Sequence, residues 1–211
     1  LKARSDAKLN QGQNFSRLMS FAMYGPKSPA TNLLTEAELT NMNPQELVDR
    51  IHNQNSYKHR ILYYGPSSSK DLLATINQYH QVPAALKDIP AGNEYSYLET
   101  PVTKVLVAPY DAKQIYMAQI SNLDKKYDPA IEPIRALYDE YFGGGMNSIV
   151  FQEMRETRGL AYSAWASIMP PSYLKYPYVL RTQIATQNDK MIDAVTTFND
   201  IINNMPESEA A

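Results

Sequence analysis

The chain has no cysteine among its 211 residues. Disulfides and thiolate metal sites are therefore excluded, and such a chain suits cytoplasm and periplasm alike. An excess of positive charge is also missing. Twenty Lys and Arg stand against 22 Asp and Glu, a formal net charge of -2. That balance offers no electrostatic footprint for nucleic acid or for an anionic membrane. No apolar run approaches the ~18 residues that a bilayer-spanning helix needs, so no membrane segment is expected. Histidine is scarce. His52, His59 and His80 are the three present, and none has a glutamate or second histidine at the spacing of a paired-imidazole zinc motif. A signal peptide and an initiator methionine are lacking too: the chain opens LKARSDAK and ends ESEAA. It reads as a piece of a longer protein, with targeting information outside it and the compartment left open.

What is present is organised around Tyr141 to Met169, YFGGGMNSIVFQEMRETRGLAYSAWASIM. Gly143, Gly144 and Gly145 break one helical pattern. A short helix is expected from about Asn147 to Arg158, with Asn147 or Ser148 as its N-cap. Gly159 stands where a left-handed C-terminal cap belongs. From Ala161 the period becomes two, placing Tyr162, Ala164, Ala166 and Ile168 on one face and Ala161, Ser163, Trp165 and Ser167 on the other.

This order brings Arg155, in the last turn of a helix, near Tyr162, at the start of a strand. Arg155 offers a planar fork of donors to a carbonyl or carboxylate, and Tyr162 a phenol donor. On spacing alone, a solvated helix-end cation and a half-buried strand tyrosine are the favoured description. The three glycines before a helix also admit an anion-binding turn, but no strand precedes them and no Lys-Ser/Thr follows.

The rest of the chain supplies architecture. Residues 1–24 predict one helix, stopped by Gly25-Pro26. Thr35 with Glu38 forms a capping box, and Asn43-Pro44 starts a further helix. Lys58 to Tyr64 predicts a strand, and Ser67 to Ser69 begin a helix carrying Leu72, Leu73, Ile76 and Tyr79. Residues 81–101, with three prolines, connect onward. Val102 to Ala108 and Lys113 to Ser121 predict two strands turned by Pro109-Tyr110-Asp111. Ile131, Ile134, Leu137, Tyr138 and Tyr141 mark a helix, Tyr176 to Ala185 a strand, and a last helix from Asp189 turns Ile192, Val195, Phe198, Ile201 and Ile202 inward. Hairpin-like strands with separate helical runs predict an α+β fold: an antiparallel sheet with helices packed on one face.

The run GGGMNSIVFQEMRETRGLAYS resembles the C-terminal-domain signature of the pitrilysin/insulinase family of zinc metallopeptidases. The matching positions are Gly143 to Gly145, Ser148, Val150-Phe151-Gln152-Glu153, Arg155-Glu156 and Gly159-Leu160-Ala161-Tyr162. The resemblance covers about residues 35–205 and implies the α+β sandwich of the processing-peptidase-like metallohydrolases. It implies a helical lead-in over 1–56 and a C-terminal peptidase-family domain over 57–211. Family enzymes are built from two halves, in one chain or in two subunits, and one half holds zinc. By resemblance Arg155 and Tyr162 are the substrate-binding residues that face the zinc across the cavity. The expected partners are a peptide substrate and a zinc-bearing half; zinc belongs to that other domain, and this chain has no metal site and no catalytic group of its own. The alternative within the same fold is a non-catalytic scaffold.

Overall fold

The computed structural model describes residues 1–205. Two compact units divide the chain: Leu1–Leu33 together with the chain from Tyr95, and Leu34–Glu94. At the N-terminus the expected single helix is two, α1 (Lys2–Lys8) and α2 (Gln11–Tyr24). The break falls at Asn10, whose side chain accepts from Gln13 N and so caps α2. An N-cap asparagine competes with helix continuation by serving the backbone itself. Gly25 then ends α2 with φ 74°.

Within Leu34–Glu94 lie α3 (Glu36–Asn41), α4 (Pro44–Asn53) and α5 (Ser69–Tyr79). The Thr35/Glu38 capping box forms in both directions, Asn43 accepts from Gln45 N, and Ser68 accepts from Asp71 N. Each such cap is worth about 1 kcal/mol. Lys58 to Tyr64, expected as a strand, is not one. It makes a single parallel bridge beside it, Tyr57 to Lys87, and Leu62 and Tyr64 stand in the open. The residue types suit a strand, but strand formation depends on a neighbouring backbone, and beyond the Lys58 N to Lys87 O hydrogen bond no ladder forms among the described residues.

The other unit is built on an antiparallel sheet of β1 (Gln114–Lys126), β2 (Ser163–Met169) and β3 (Pro177–Gln187), in the order β1-β3-β2. Register runs from Gln114↔Gln187 to Asn122↔Val179, and from Ser163↔Ala185 to Met169↔Val179. Partners across a ladder share a face. Met117, Ile184 and Ala164 therefore lie on one side, and Tyr116, Ala185 and Ser163 on the other. The segment Val102 to Ala108, also expected as a strand, pairs with no strand among the described residues, and Val105 and Val107 are exposed. Its apolar residues satisfy the propensity and find no ladder.

The helices α6 (Glu132–Asp139), α7 (Ile149–Phe151) and α8 (Met191–Asn203) carry the main helical layer. Wider π-type turns extend α6 over Glu140–Gly144 and α7 over Gln152–Thr157. Phe142, Val150, Met154, Ile184, Ala194 and Phe198 form the buried core between this layer and the Met117 face. Each large side chain so buried contributes roughly 1.5–3 kcal/mol. Three of the apolar positions that mark these helices point out: Ile192 of α8 and Ile134 and Leu137 of α6 are exposed, while Ala194 and Tyr138 make the core contacts. On the opposite face, Phe15 of α2 meets Tyr116 edge-on at 5.6 Å, and the Arg181 guanidinium lies 5.1 Å from the Trp165 ring centre.

The free edge of β2 is closed by side chains. Asp139 accepts from Ile168 N at 2.7 Å and from Ser167 Oγ at 2.9 Å, while Arg135 donates to Ile168 O at 2.9 Å and to Asp139 at 2.6 Å. This Arg–Asp pair, mostly buried, locks β2 to α6 and occupies backbone groups that an edge would otherwise expose.

Candidate functional site

The site is made by one reversal of the chain. Ser148 Oγ accepts from Phe151 N and starts α7, as its position before an apolar run predicts. At the far end of the π-type turns the Arg155 carbonyl accepts from Gly159 N at 3.1 Å. Gly159 has φ 56°, in the left-handed region where a side chain is strained. Leu160 N and Ala161 N then both donate to Met154 O, at 2.8 and 3.1 Å, so the chain folds back against the helix it has just left. Tyr162 N donates to Ala185 O at 2.8 Å, and β2 begins.

Two side chains from β3 and the approach to α8 hold this turn. Thr186, buried, donates from Oγ1 to Leu160 O at 2.5 Å, and Lys190 Nζ donates to Gly159 O at 3.0 Å. Both carbonyls lie just past a helix end, where intrahelical partners have run out. A positively charged donor there also suits the helix dipole.

The reversal places Arg155 and Tyr162 side by side. The guanidinium carbon of Arg155 lies 5.4 Å from the Tyr162 ring centre and 5.0 Å from that of Phe151. Arg155 Nε also sits 3.5 Å from Glu156 Oε1, in a half-exposed ion pair of the kind that contributes little to stability. Tyr162 is 69% exposed, and its phenol oxygen has no hydrogen-bond partner among the described residues. Both residues line a cleft of about 300 Å³ whose wall includes Gly159, Leu160 and Ala161. An Arg fork beside a free phenol can donate to an acceptor entering the cleft.

Sequence reasoning missed the rest of that wall: Gln114, Thr186, Gln187 and Lys190. They come from β1, β3 and the turn before α8, and the Gln114↔Gln187 register brings the first three to the same sheet end. No local motif signals this, because the pairing of distant strands creates it.

Gly143, Gly144 and Gly145 do not end the helix at once. Helical turns run through Gly144, and only Gly145 is extended. Gly143 is needed for closeness: a methyl there would lie 2.8 Å from Ala166 Cα and nearer still to its backbone N and O. At Gly144 the obstruction is the Asp139 carbonyl, 2.8 Å away. Gly143 lets the helical layer touch β2 directly.

Of the three histidines, two meet: His59 Nε2 lies 2.6 Å from His80 Nε2, and His59 Nδ1 lies 2.6 Å from Tyr57 O. Among the described residues no three His, Cys, Asp or Glu side chains gather as a metal site. The described residues do not fit a catalytic zinc, which requires three protein ligands and an open position. No helix among the described residues is long and apolar enough to cross a membrane.

Comparison with known proteins agrees with this architecture. The family described as peptidase M16 inactive domain matches residues 60–209. A crystal structure of a peptidase M16 inactive domain from Pseudomonas fluorescens is 18% identical with TM-score 0.63, covering 98% of this chain and 50% of that one. A conserved protein from Enterococcus faecalis V583 is 19% identical with TM-score 0.54, covering 98% and 49%. A protease from Helicobacter pylori is 12% identical with TM-score 0.53, covering 82% and 43%. At these identities the structures share the fold, and this chain spans about half the length of each. No curated protein matches. The chain belongs to the peptidase M16 family, the pitrilysin/insulinase-like group, through its inactive domain.

Proposed function

We propose that this chain is the substrate-binding C-terminal region of a zinc metalloendopeptidase, in which Arg155 and Tyr162 contact the peptide backbone. The observation that carries this reading is their convergence on one cleft, with the Tyr162 phenol unpartnered. The zinc, the peptide substrate and the zinc-bearing half, in the same polypeptide or a second subunit, all belong to the proposal. So does the division into a helical lead-in over 1–56 and a peptidase-family domain over 57–211. The chain alone is expected to cleave nothing, since no metal ligands cluster among its described residues. Its part is to place the Arg155 and Tyr162 donors where negative charge would develop on the scissile carbonyl; a zinc held by the other half would supply the Lewis acid.

The test uses the complete protein, zinc-bearing half included. Arg155→Ala should lower kcat/KM for a peptide by roughly 2–4 kcal/mol of transition-state stabilisation while melting temperature and zinc content hold. Arg155→Lys should rescue poorly, because an ammonium lacks the planar fork. Normal turnover in a folded Arg155→Ala protein would end the proposal. A second reading, a non-catalytic scaffold of the same fold, is favoured by one observation: Arg155 already has the Phe151 and Tyr162 rings within 5.4 Å and Glu156 nearby. On that reading the same substitution lowers stability and leaves turnover per folded molecule intact.

A further inference from the structure

We propose that the cleft beside Arg155 and Tyr162 prefers peptides presenting a carboxylate, either an acidic side chain or a free C-terminus, and that Lys190 sets this preference. The inference rests on the substrate-binding reading above and names its substrate class. Two cations, Arg155 and Lys190, line the cleft, and none of its nine lining residues is Asp or Glu. Its other polar groups, Gln114, Gln187, Tyr162 and Thr186, are neutral. A carboxylate entering this space meets donors and positive charge, whereas a Lys or Arg side chain meets like charge with no acidic partner.

Lys190 is better prepared for this than Arg155. Its ammonium is held at the cleft wall by the hydrogen bond to Gly159 O, and two of its three donor hydrogens remain for a ligand. A long side chain already tethered loses less rotamer freedom when a ligand arrives. Arg155 has Glu156 at 3.5 Å, so part of its charge is already answered. Lys190 has no carboxylate partner among the described residues. Arg155 and Tyr162 would then read what all peptides share, and Lys190 what distinguishes them.

The experiment is fluorescence anisotropy on the 211-residue chain. The labelled peptides are identical except for one central Glu, Gln or Lys, each made with a free and with an amidated C-terminus. The Glu peptide should bind roughly fivefold tighter than the Gln peptide, and the Lys peptide most weakly. A preference for the free over the amidated C-terminus would assign the carboxylate to the chain end; a Glu-over-Gln preference assigns it to a side chain. Lys190→Met should erase the preference, Lys190→Arg should keep it, and Lys190→Glu should invert it toward the Lys peptide. If Lys190 serves only as a cap on Gly159, its variants weaken every peptide alike and invert nothing, which overturns the inference. Arg155→Ala tests the underlying reading separately, by weakening every peptide by a similar factor. Equal binding of the Glu, Gln and Lys peptides, with both C-termini equivalent and sensitivity to Arg155→Ala retained, overturns the charge preference and leaves the cleft reading standing. Binding that is undetectable, or indifferent to both Arg155→Ala and Lys190→Glu, overturns both.

Discussion

Gly143 passes so close to the backbone of Ala166 that no methyl group fits between them. The contact joins the turns after α6 to the middle of β2, just behind the strand residues that lead from Tyr162. Gly143→Ala should therefore force the helix and strand apart and cost about 1–3 kcal/mol, the usual range for overpacking. Thermal melting of the variant measures this. An unchanged melting temperature would show that the layers can part freely there.

At Gly159 the cost has a different origin. A Cβ there would meet nothing within 4 Å, so only the positive φ opposes substitution. Gly159→Val should cost about 1 kcal/mol or more and shift the chain reversal that sets Tyr162 against Arg155. Melting temperature and the exposure of the Tyr162 ring to a surface-modifying reagent check both halves. A Gly159→Val protein as stable as the parent would rule out the left-handed cap.

Glu132 links α6 to the sheet through Tyr178, whose hydroxyl donates to its carboxylate at 2.6 Å. That hydrogen bond, followed by those from Arg135, holds the Glu132 carboxyl below its ordinary value of 4.5. A depressed carboxylate adds stability that is complete above the unfolded value and is lost as pH falls through the folded one. The melting-temperature difference between the parent and Glu132→Gln should thus stay flat from neutral pH down to about 5 and shrink below 4.5. A difference that is constant throughout the acid range would show that the charge of Glu132 is irrelevant. Tyr178 moves the other way: burial first, then the bond to Glu132, pushes its phenol upward.

The parts of the site that could be read in the sequence are those set by neighbours along the chain. Ser148 precedes an apolar run and caps it; Gly159 follows a helix and turns left-handed; Ala164 and Ala166 alternate with Trp165 and face the core. The Thr35/Glu38 box and the Asn43 cap are equally local. What escaped depends on partners far away. Lys190 and Gln187 reach the cleft because β3 lies between β1 and β2, and nothing near them in sequence says so. Lys58 to Tyr64 and Val102 to Ala108 have strand-forming residues, yet a strand is a relation between backbones and neither segment finds a ladder among the described residues. Gly143 looked like a helix breaker and proves to be a contact point, a role visible only once Ala166 is placed against it.

The central claim is that Arg155 and Tyr162 touch the peptide, and nuclear magnetic resonance reads that contact most directly. An isotope-labelled sample of the chain would be titrated with an uncleaved peptide while the Arg155 Nε–H and Tyr162 ring signals are followed. Those signals should move together and saturate along one binding curve, while the buried Tyr178 ring stays still. Peptide that saturates the chain and leaves Arg155 and Tyr162 unmoved would contradict the account.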